Sequence, residues 1–480
     1  MVHQYINNGL HIVLDVHSGS IHLVDEVVYD LIPAVENALQ DLFGSAAGSP
    51  EREVSADALL ASVTRDTDLG ERYPHSELTE GIEEILSLRA AETLFADDAY
   101  ADAVETFEHR ETVVKALCLN IAHDCNLRCA YCFADEGAYH GDRRGLMSLE
   151  VGKAALDFLV AHSGNRRNLE VDFFGGEPLL NWPVVKALVE YGRSIEAEHH
   201  KNFRFTLTTN GTLLNEEILQ FVNREMGNIV LSIDGRKEIN DRMRPRAGGQ
   251  GTYDDIVPKF LEVAKSRHGV RYFVRGTFTH ANLDFSEDVR HLADLGFTQI
   301  SVEPVVASPD DWYAIREEDV PELCAEYDRL AQLYLERRRE GRPFHFFHFN
   351  IDLEGGPCVA KRLSGCGSGC EYLGVTPWGE LYPCHQFVGN RDFLMGNVFE
   401  GITRTDIADR FRASNVYTRP ECAGCFARYY CSGGCAANAW NFTGSIDGNY
   451  AVGCALERKR VECAIMIKAV EAMEKGEEVS

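Results

Sequence analysis

The chain lacks any apolar run of the length that a membrane-spanning helix needs, which argues against an integral membrane protein. No charged stretch followed by an apolar one comes after Met1, so no signal peptide is read and a cytoplasmic location is expected. Basic residues are outnumbered. Against 75 Asp and Glu stand 47 Lys and Arg, for a formal charge of −28. A surface of that sign repels nucleic acid, so no nucleic-acid partner is expected; the same charge serves solubility. Long internal repeats are absent. Cysteine is missing from roughly the first 95 residues, although the chain holds 15. Disulfide frameworks are improbable in a reducing compartment, and close-set cysteines there point to metal. What remains is 480 residues, 45% hydrophobic and 25% charged. That composition is globular, with room for about two to four domains.

Three segments differ in pattern. Leu10 to Val16 and Ile21 to Val24 read as two strands of a hairpin around His17-Ser18-Gly19-Ser20. A helix begins near Asp25, a polar stretch over 44–50 breaks the chain, and helices follow near 55–64 and 77–88, giving a small α+β unit. From about 113 to 306 strands and helices alternate. Strands are expected at Lys115–Ile121, Leu169–Phe174, Phe203–Thr208, Asn228–Ile233, Arg271–Thr279 and Gln299–Val305. Helices fall near 148–162, 182–199, 215–225, 253–267 and 284–295. The fold class is α/β, with a parallel sheet forming an open or partly closed barrel whose site lies at the carboxyl ends of its strands. A helix is expected over 319–340 with Asp319 as N-cap, and a final one over 454–475. Residues 355–463 hold ten of the 15 cysteines and many glycines, so metal rather than a large apolar core is expected to organise them.

After the first strand comes Cys125-Asn126-Leu127-Arg128-Cys129-Ala130-Tyr131-Cys132, the spacing C-x3-C-x2-C. Three thiolates on one tight loop can hold three irons of a [4Fe–4S] cube and leave the fourth open. Zinc would need a fourth ligand nearby, and His123 is the residue to propose. With Tyr131 as its aromatic, the motif resembles that of the radical S-adenosylmethionine (SAM) superfamily. The resemblance implies that the open iron chelates SAM and that an electron from the cluster cleaves it to a 5′-deoxyadenosyl radical, which abstracts hydrogen from substrate. Gly175-Gly176-Glu177-Pro178, at the end of the second strand, resembles the family's GGEP motif at the amino group of SAM. Glycines admit close backbone approach, and a carboxylate suits an ammonium. Thr209-Asn210-Gly211 and Ser232-Ile233-Asp234-Gly235 resemble positions around the ribose and carboxylate of SAM. Asn-Gly and Asp-Gly are also ordinary turn formers, so Thr209, Asn210, Ser232 and Asp234 have both readings. Arg244 or Arg246 could pair with the SAM carboxylate or be a solvated charge.

Downstream, Cys422, Cys425, Cys431, Cys435 and Cys454 give C-x2-C-x5-C-x3-C-x18-C, and Cys366, Gly379 and Cys384 precede them. The pattern resembles the SPASM extension of radical SAM peptide-modifying enzymes. A zinc ribbon seeded at Cys422 and Cys425 is the bland alternative. The resemblance implies two auxiliary [4Fe–4S] clusters, three in all with the first. One would use Cys366, Cys384 and Cys435, the other Cys422, Cys425, Cys431 and Cys454. The fourth ligand of the former is Cys358, Cys370 or an open site for a substrate thiolate. Cys118, Cys324 and Cys463 sit in apolar patterns and read as small buried hydrophobes.

Asn8 to Val16 with Val24-Asp25, Leu363 to Gly367, and Tyr382 to Phe387 resemble the maturases of SCIFF (six cysteines in forty-five) peptides. These enzymes form thioether bridges in ribosomally made precursors. The resemblance implies a RiPP recognition element at 1–95 that binds the leader of a Cys-rich precursor as an added strand. A linker at 96–112, the radical SAM partial barrel at 113–310, a bridging helix region at 311–354 and the SPASM domain at 355–480 would follow. An electron donor such as flavodoxin or ferredoxin is implied as a second partner. A capping domain without ligand is the other reading of 1–95. Rival functions are side-chain oxidation of the sulfatase-maturase kind and plain electron carriage, for which a GGEP loop has no use. No general base is assigned; His385 is noted only as the neighbour of Cys384.

Overall fold

A computed structural model describes residues 1–44, 48–49, 52–139, 141, 143–353 and 358–476. Positions 45–47 and 50 of the expected polar break lie outside them. The first unit has one strand more than the hairpin. β1 (Val2–Asn7), β2 (Leu10–Asp15) and β3 (Ile21–Val24) form an antiparallel sheet in that order. The helix at Glu26–Phe43 starts where Asp25 accepts a hydrogen bond from the Val28 amide, 2.8 Å. Its apolar stripe of Val28, Leu31, Ile32 and Val35 packs with Val13, Leu59, Ile82 and Ile85 into a separate small core. β1 lies against the rest of the chain. The Tyr5 hydroxyl donates to the Glu462 carbonyl at 3.0 Å, and the His3 ring stacks on Phe426 at 3.5 Å.

The second sheet carries the chemistry. Its parallel strands are β4 (Ala116–His123), β6 (Asn168–Gly175), β7 (Asn202–Thr209), β8 (Asn228–Ser232), β9 (Phe273–Phe278), β10 (Gln299–Pro304) and β11 (His345–Phe346), with β5 (Gly145–Leu146) pairing antiparallel at the end of β4. Neighbours in the sheet are successive in the chain, the order of a barrel wall, without the reversal of a doubly wound sheet. β4 is buried along its whole length, as suits a central parallel strand. β7 alternates. Phe203, Phe205 and Leu207 are buried, while Thr206 and Thr208 stay partly accessible on the opposite face. Register puts Cys118, Asp172 and Thr206 side by side on that face, and Ser232 beside Arg275. The result is an apolar outer layer and a concave face that carries these polar side chains.

Two expectations need correction. Asp319 stands at the start of the helix Val320–Arg339 but makes no side-chain cap. Its carboxylate accepts instead from the Arg316 amide at 2.9 Å and meets His280 Nδ1 at 2.8 Å. The cysteine-rich segment is also not left to metal alone. β12 (Tyr372–Val375) adds a strand parallel to β4, and β13 (Glu380–Tyr382), β14 (Gly396–Asn397) and β15 (Gly401–Ile402) continue the sheet antiparallel. Leu373, Val375, Leu381, Phe387, Phe393 and Phe411 join the main core. The last helix, Ala451–Lys475, packs on Val320–Arg339.

Asp15 ties the first unit together. Fully buried, it accepts from the His17 and Ser18 amides and the Ser18 hydroxyl, and through its other oxygen from the Ala96 amide. Asp15→Ala strands these buried donors and should cost about 2–4 kcal/mol. Proteolytic cleavage of 1–95 should accelerate while the barrel core keeps its hydrogen-exchange protection.

Candidate active site

The loop after β4 is pinned from two sides by backbone. From the end of β6, the Gly176 amide donates to Ala122 O at 2.8 Å and the Glu177 amide to Asp124 O at 2.9 Å. A Cβ on Gly176 would stand 2.1 Å from Asp124 O, so this glycine is required by the approach of the cysteine loop itself. From the other side, the Arg128 amide donates to Pro245 O at 2.8 Å and the Ala130 amide to Met243 O at 2.9 Å. The loop's own amides turn toward sulfur. Leu127 N lies 3.4 Å from Cys125 Sγ, Glu136 N lies 3.3 Å from Cys132 Sγ, and Asn210 Nδ2 lies 3.8 Å from Cys125 Sγ.

Tyr131 adds a third anchor. Its hydroxyl lies 2.7 Å from both carboxylate oxygens of Asp234 and accepts from Arg244 Nη1 at 2.8 Å. Asp234 is fully buried; burial pushes its carboxyl up to about 6, against the pull of Arg244 and the Tyr131 hydroxyl. The Thr277 amide supplies a further donor at 3.1 Å. This Tyr–Asp–Arg triad spans the loop, the end of β8 and the segment after it. Sequence reading missed it as a unit, although Tyr131, Asp234 and Arg244 were each singled out.

The other singled-out residues fall as follows. Glu177 is fully buried and already engaged, accepting from the Leu179 and Asn210 amides and from the Thr209 hydroxyl at 2.8–3.0 Å. It ties the β6 end to the β7 end. Three of a carboxylate's roughly four acceptor sites are thereby used. Pro178 is buried and opens a short turn after it. Gly175, at φ +118°, backs onto Ala122 O. Thr209 and Asn210 are buried, and Asn210 reaches the loop through Asn126 Oδ1 at 2.9 Å. Ser232 is half-buried on the concave face. The Arg246 side chain pairs with Asp255 at 2.6 Å, while its backbone bridges antiparallel to Leu127 of the loop. His123 is buried, stacks on Tyr139 and is pushed down to about 4 by burial, which suits a packed ring.

The downstream cysteines gather as two groups. Cys384 has Cys435 and Cys366 as electrostatic neighbours, and Cys435 has Cys366. Cys431 has Cys454 and Cys422, and Cys454 has Cys422 and Cys425. Cys370 is buried among Glu371, Arg110 and Arg412, with its thiol 3.6 Å from Gly367 O, and Cys358 is exposed. Among the described residues no three His, Cys, Asp or Glu stand together closely enough to hold one metal ion. Ligands of a cube stand wider, one on each iron. Donors to sulfur again fit that group. Asn449 Nδ2 lies 3.8 Å from both Cys422 Sγ and Cys454 Sγ. Burial pushes the Cys125 thiol up to about 12 and Cys129 to about 11, so a metal or cluster must displace those protons on loading.

The concave face has Phe133, next to the first loop, and Cys384 and His385, of one downstream group, at its border. His385 packs against Phe133 and Phe174, stands 3.2 Å from the Tyr372 hydroxyl and is pushed down to about 4 by burial. Arg275 pairs with Glu303 at 2.6 Å while keeping 50% of its side chain accessible. Burial beside Glu170 pushes Asp172 up to about 6, against the Thr206 hydroxyl. Cys118 is buried beside Asp172, Tyr372 and Cys384. The two-residue alternation along Val171 to Phe174 and Phe273 to Thr277 is the sequence signal that could have found this face.

Residues 119–270 match the sequence profile of the Radical SAM superfamily. An uncharacterized protein of Methanocaldococcus jannaschii is 30% identical over 191 residues, 40% of this chain and 62% of that protein, so the chain spans less than two thirds of its length. A cysteine-type anaerobic sulfatase-maturating enzyme of Clostridium novyi is 24% identical over 333 residues, 66% of this chain and 86% of that enzyme. Among solved structures, anSMEcpe with bound AdoMet aligns with a TM-score of 0.61 at 20% identity, covering 74% of this chain and 98% of that one. SuiB of Streptococcus suis bound to S-adenosylmethionine aligns at 0.51 and 14% identity over 94% and 98%. The fold is therefore that of radical SAM enzymes, and a sulfatase-maturating enzyme is among the chain's relatives.

Tyr131→Phe should keep the fold but leave Asp234 and Arg244 without their bridge, a loss of about 1.5–3 kcal/mol at the loop. Iron bound at Cys125, Cys129 and Cys132 should bleach faster in air than in the unaltered protein, followed by absorbance near 400 nm (~).

Proposed function

On the premise that residues 119–270 form a radical SAM domain, we propose that this protein matures a Cys-rich ribosomal precursor peptide by forming sulfur-to-carbon thioether bridges. The observation that carries the proposal is that Cys384, of one downstream cysteine group, and His385 stand at the same partly accessible concave face as Phe133, the residue after Cys132. Three [4Fe–4S] clusters and SAM, when bound, supply an organic radical and a route for electrons. The chain does the rest. Gly176, Glu177 and the Tyr131 triad hold the first cluster loop. Thr209, Asn210 and Ser232 border the space where SAM would lie. Arg275 and Glu303 orient peptide on the concave face. The leader adds to β3, the outer edge of a sheet whose other edge, β1, is turned to the body of the protein. A flavodoxin or ferredoxin supplies the reducing electron.

Relatedness to the sulfatase-maturating enzyme favours a second reading, oxidation of a side chain without a sulfur–carbon link. Tandem mass spectrometry after thiol alkylation separates the two. Thioether formation predicts a loss of two mass units (about 2 Da) per bridge and a cysteine that resists alkylation. A product with that mass loss whose cysteines all alkylate overturns it. Changing Cys125, Cys129 and Cys132 together to Ala should abolish 5′-deoxyadenosine and leave leader binding intact; surviving deoxyadenosine refutes the assignment of the first loop.

Asp172 is the carboxyl on the concave face suited to taking the proton released at closure. Its raised value means it accepts a proton only once ionised, so turnover should rise as pH passes about 6. Asp172→Asn should lower turnover at pH 7–8 (about tenfold or more) and flatten that rise, with deoxyadenosine formation persisting. An unchanged pH profile excludes the role.

A further inference from the structure

Arg419 is 5% exposed, yet no carboxylate pairs with it among the described residues. Other arginines nearby have partners of their own. Arg428 pairs with Asp98 and Arg412 with Asp409. Arg419 donates through Nη1 to the Gly433 carbonyl and through Nη2 to the Ser414 hydroxyl at 3.2 Å, while its buried Nε has no partner. Its own carbonyl accepts from the Cys422 amide at 3.0 Å. Gly433 lies between Cys431 and Cys435, one from each downstream group, and Arg419 lines the same cavity as Cys366.

The nearest carboxylate, Asp447, is reached only through the Ser414 hydroxyl, which donates to it at 2.6 Å, and a buried cation with no direct ion pair is expensive. Two anionic clusters on either side would supply the missing charge. We propose that the Arg419 guanidinium is an electrostatic bridge shared by the two auxiliary cysteine groups, holding both auxiliary clusters at higher reduction potential than their thiolates alone would. The inference rests on the reading of those cysteines as cluster ligands. A positive charge near a cluster favours its reduced, more negative state, and a donor to its sulfurs acts in the same direction. Asn449 differs from Arg419 in reaching only the second group.

The test uses the full chain carrying Cys125→Ala, Cys129→Ala and Cys132→Ala, so that only auxiliary clusters remain, reconstituted anaerobically. Arg419→Lys and Arg419→Gln both keep a donor for Gly433 and differ in charge. Iron content and potentiometric electron paramagnetic resonance are read on each. Both auxiliary potentials should be lower in the Gln variant than in the Lys variant, by about tenfold in the reduction equilibrium, or about 59 mV for one electron. Asn449→Leu should move one cluster only. Loss of iron in the Gln variant with retention in the Lys variant is the same result in stronger form. Equal potentials in the two variants, or a shift confined to one cluster, overturn the bridge. A parent protein without auxiliary iron overturns the cluster reading itself, and the iron count tells the two failures apart.

Discussion

Everything at the first site depends on how an eight-residue loop with three cysteines is kept from relaxing. Buried thiolates repel one another and have no intrinsic reason to stay on one side of a loop. Here the loop is fixed by backbone hydrogen bonds from Gly176 and Glu177, by the opposing strand-like segment at 243–246, and by the buried Tyr131–Asp234–Arg244 triad. Glu177 shows how far this priority reaches. Its carboxylate is used to join the ends of β6 and β7, which carry the loop's neighbours Gly176 and Asn210.

The sheet turns that fixed loop toward a working space. Parallel strands in chain order place their alternate side chains either under the helices or on the concave face, where Asp172, Thr206, Ser232 and Arg275 stand beside Phe174, Val230 and Phe273. β12 extends the same sheet beyond β4, so the cysteine-rich segment is anchored to the barrel by main-chain pairing and brings Cys384 and His385 to the edge of that face. The N-terminal sheet is tied in through Tyr5, His3 and Asn7, and His3 stacks on Phe426, the residue after Cys425. β3 and the concave face thus belong to one continuous body.

The six barrel strands and their helices were legible because each combines a short apolar run with a long amphipathic helix, a signal that survives errors at the ends. The C-x3-C-x2-C loop stands out by spacing, whereas the division of the downstream cysteines into two interleaved groups is what the SPASM resemblance implies. Other features were not legible. β1 reads Val-His-Gln-Tyr-Ile-Asn, with too few apolar residues to stand out before its partners are known. β12 to β15 are two to four residues long, below the length at which alternation can be seen. Asp319 carries the right chemistry for a cap, but the Arg316 amide and His280 claimed it first. The Tyr131 triad joins positions about 100 residues apart, a distance no local pattern spans.

The central claim is that the cysteines form three cluster sites and not one cluster plus zinc. Iron and acid-labile sulfide, counted on anaerobically reconstituted protein alongside Mössbauer spectra, test it most directly. The account predicts about twelve irons per chain, all in [4Fe–4S] cubes, falling to about eight when Cys125, Cys129 and Cys132 are replaced by Ala. A total of about four irons, with zinc retained by the downstream cysteines, would contradict it.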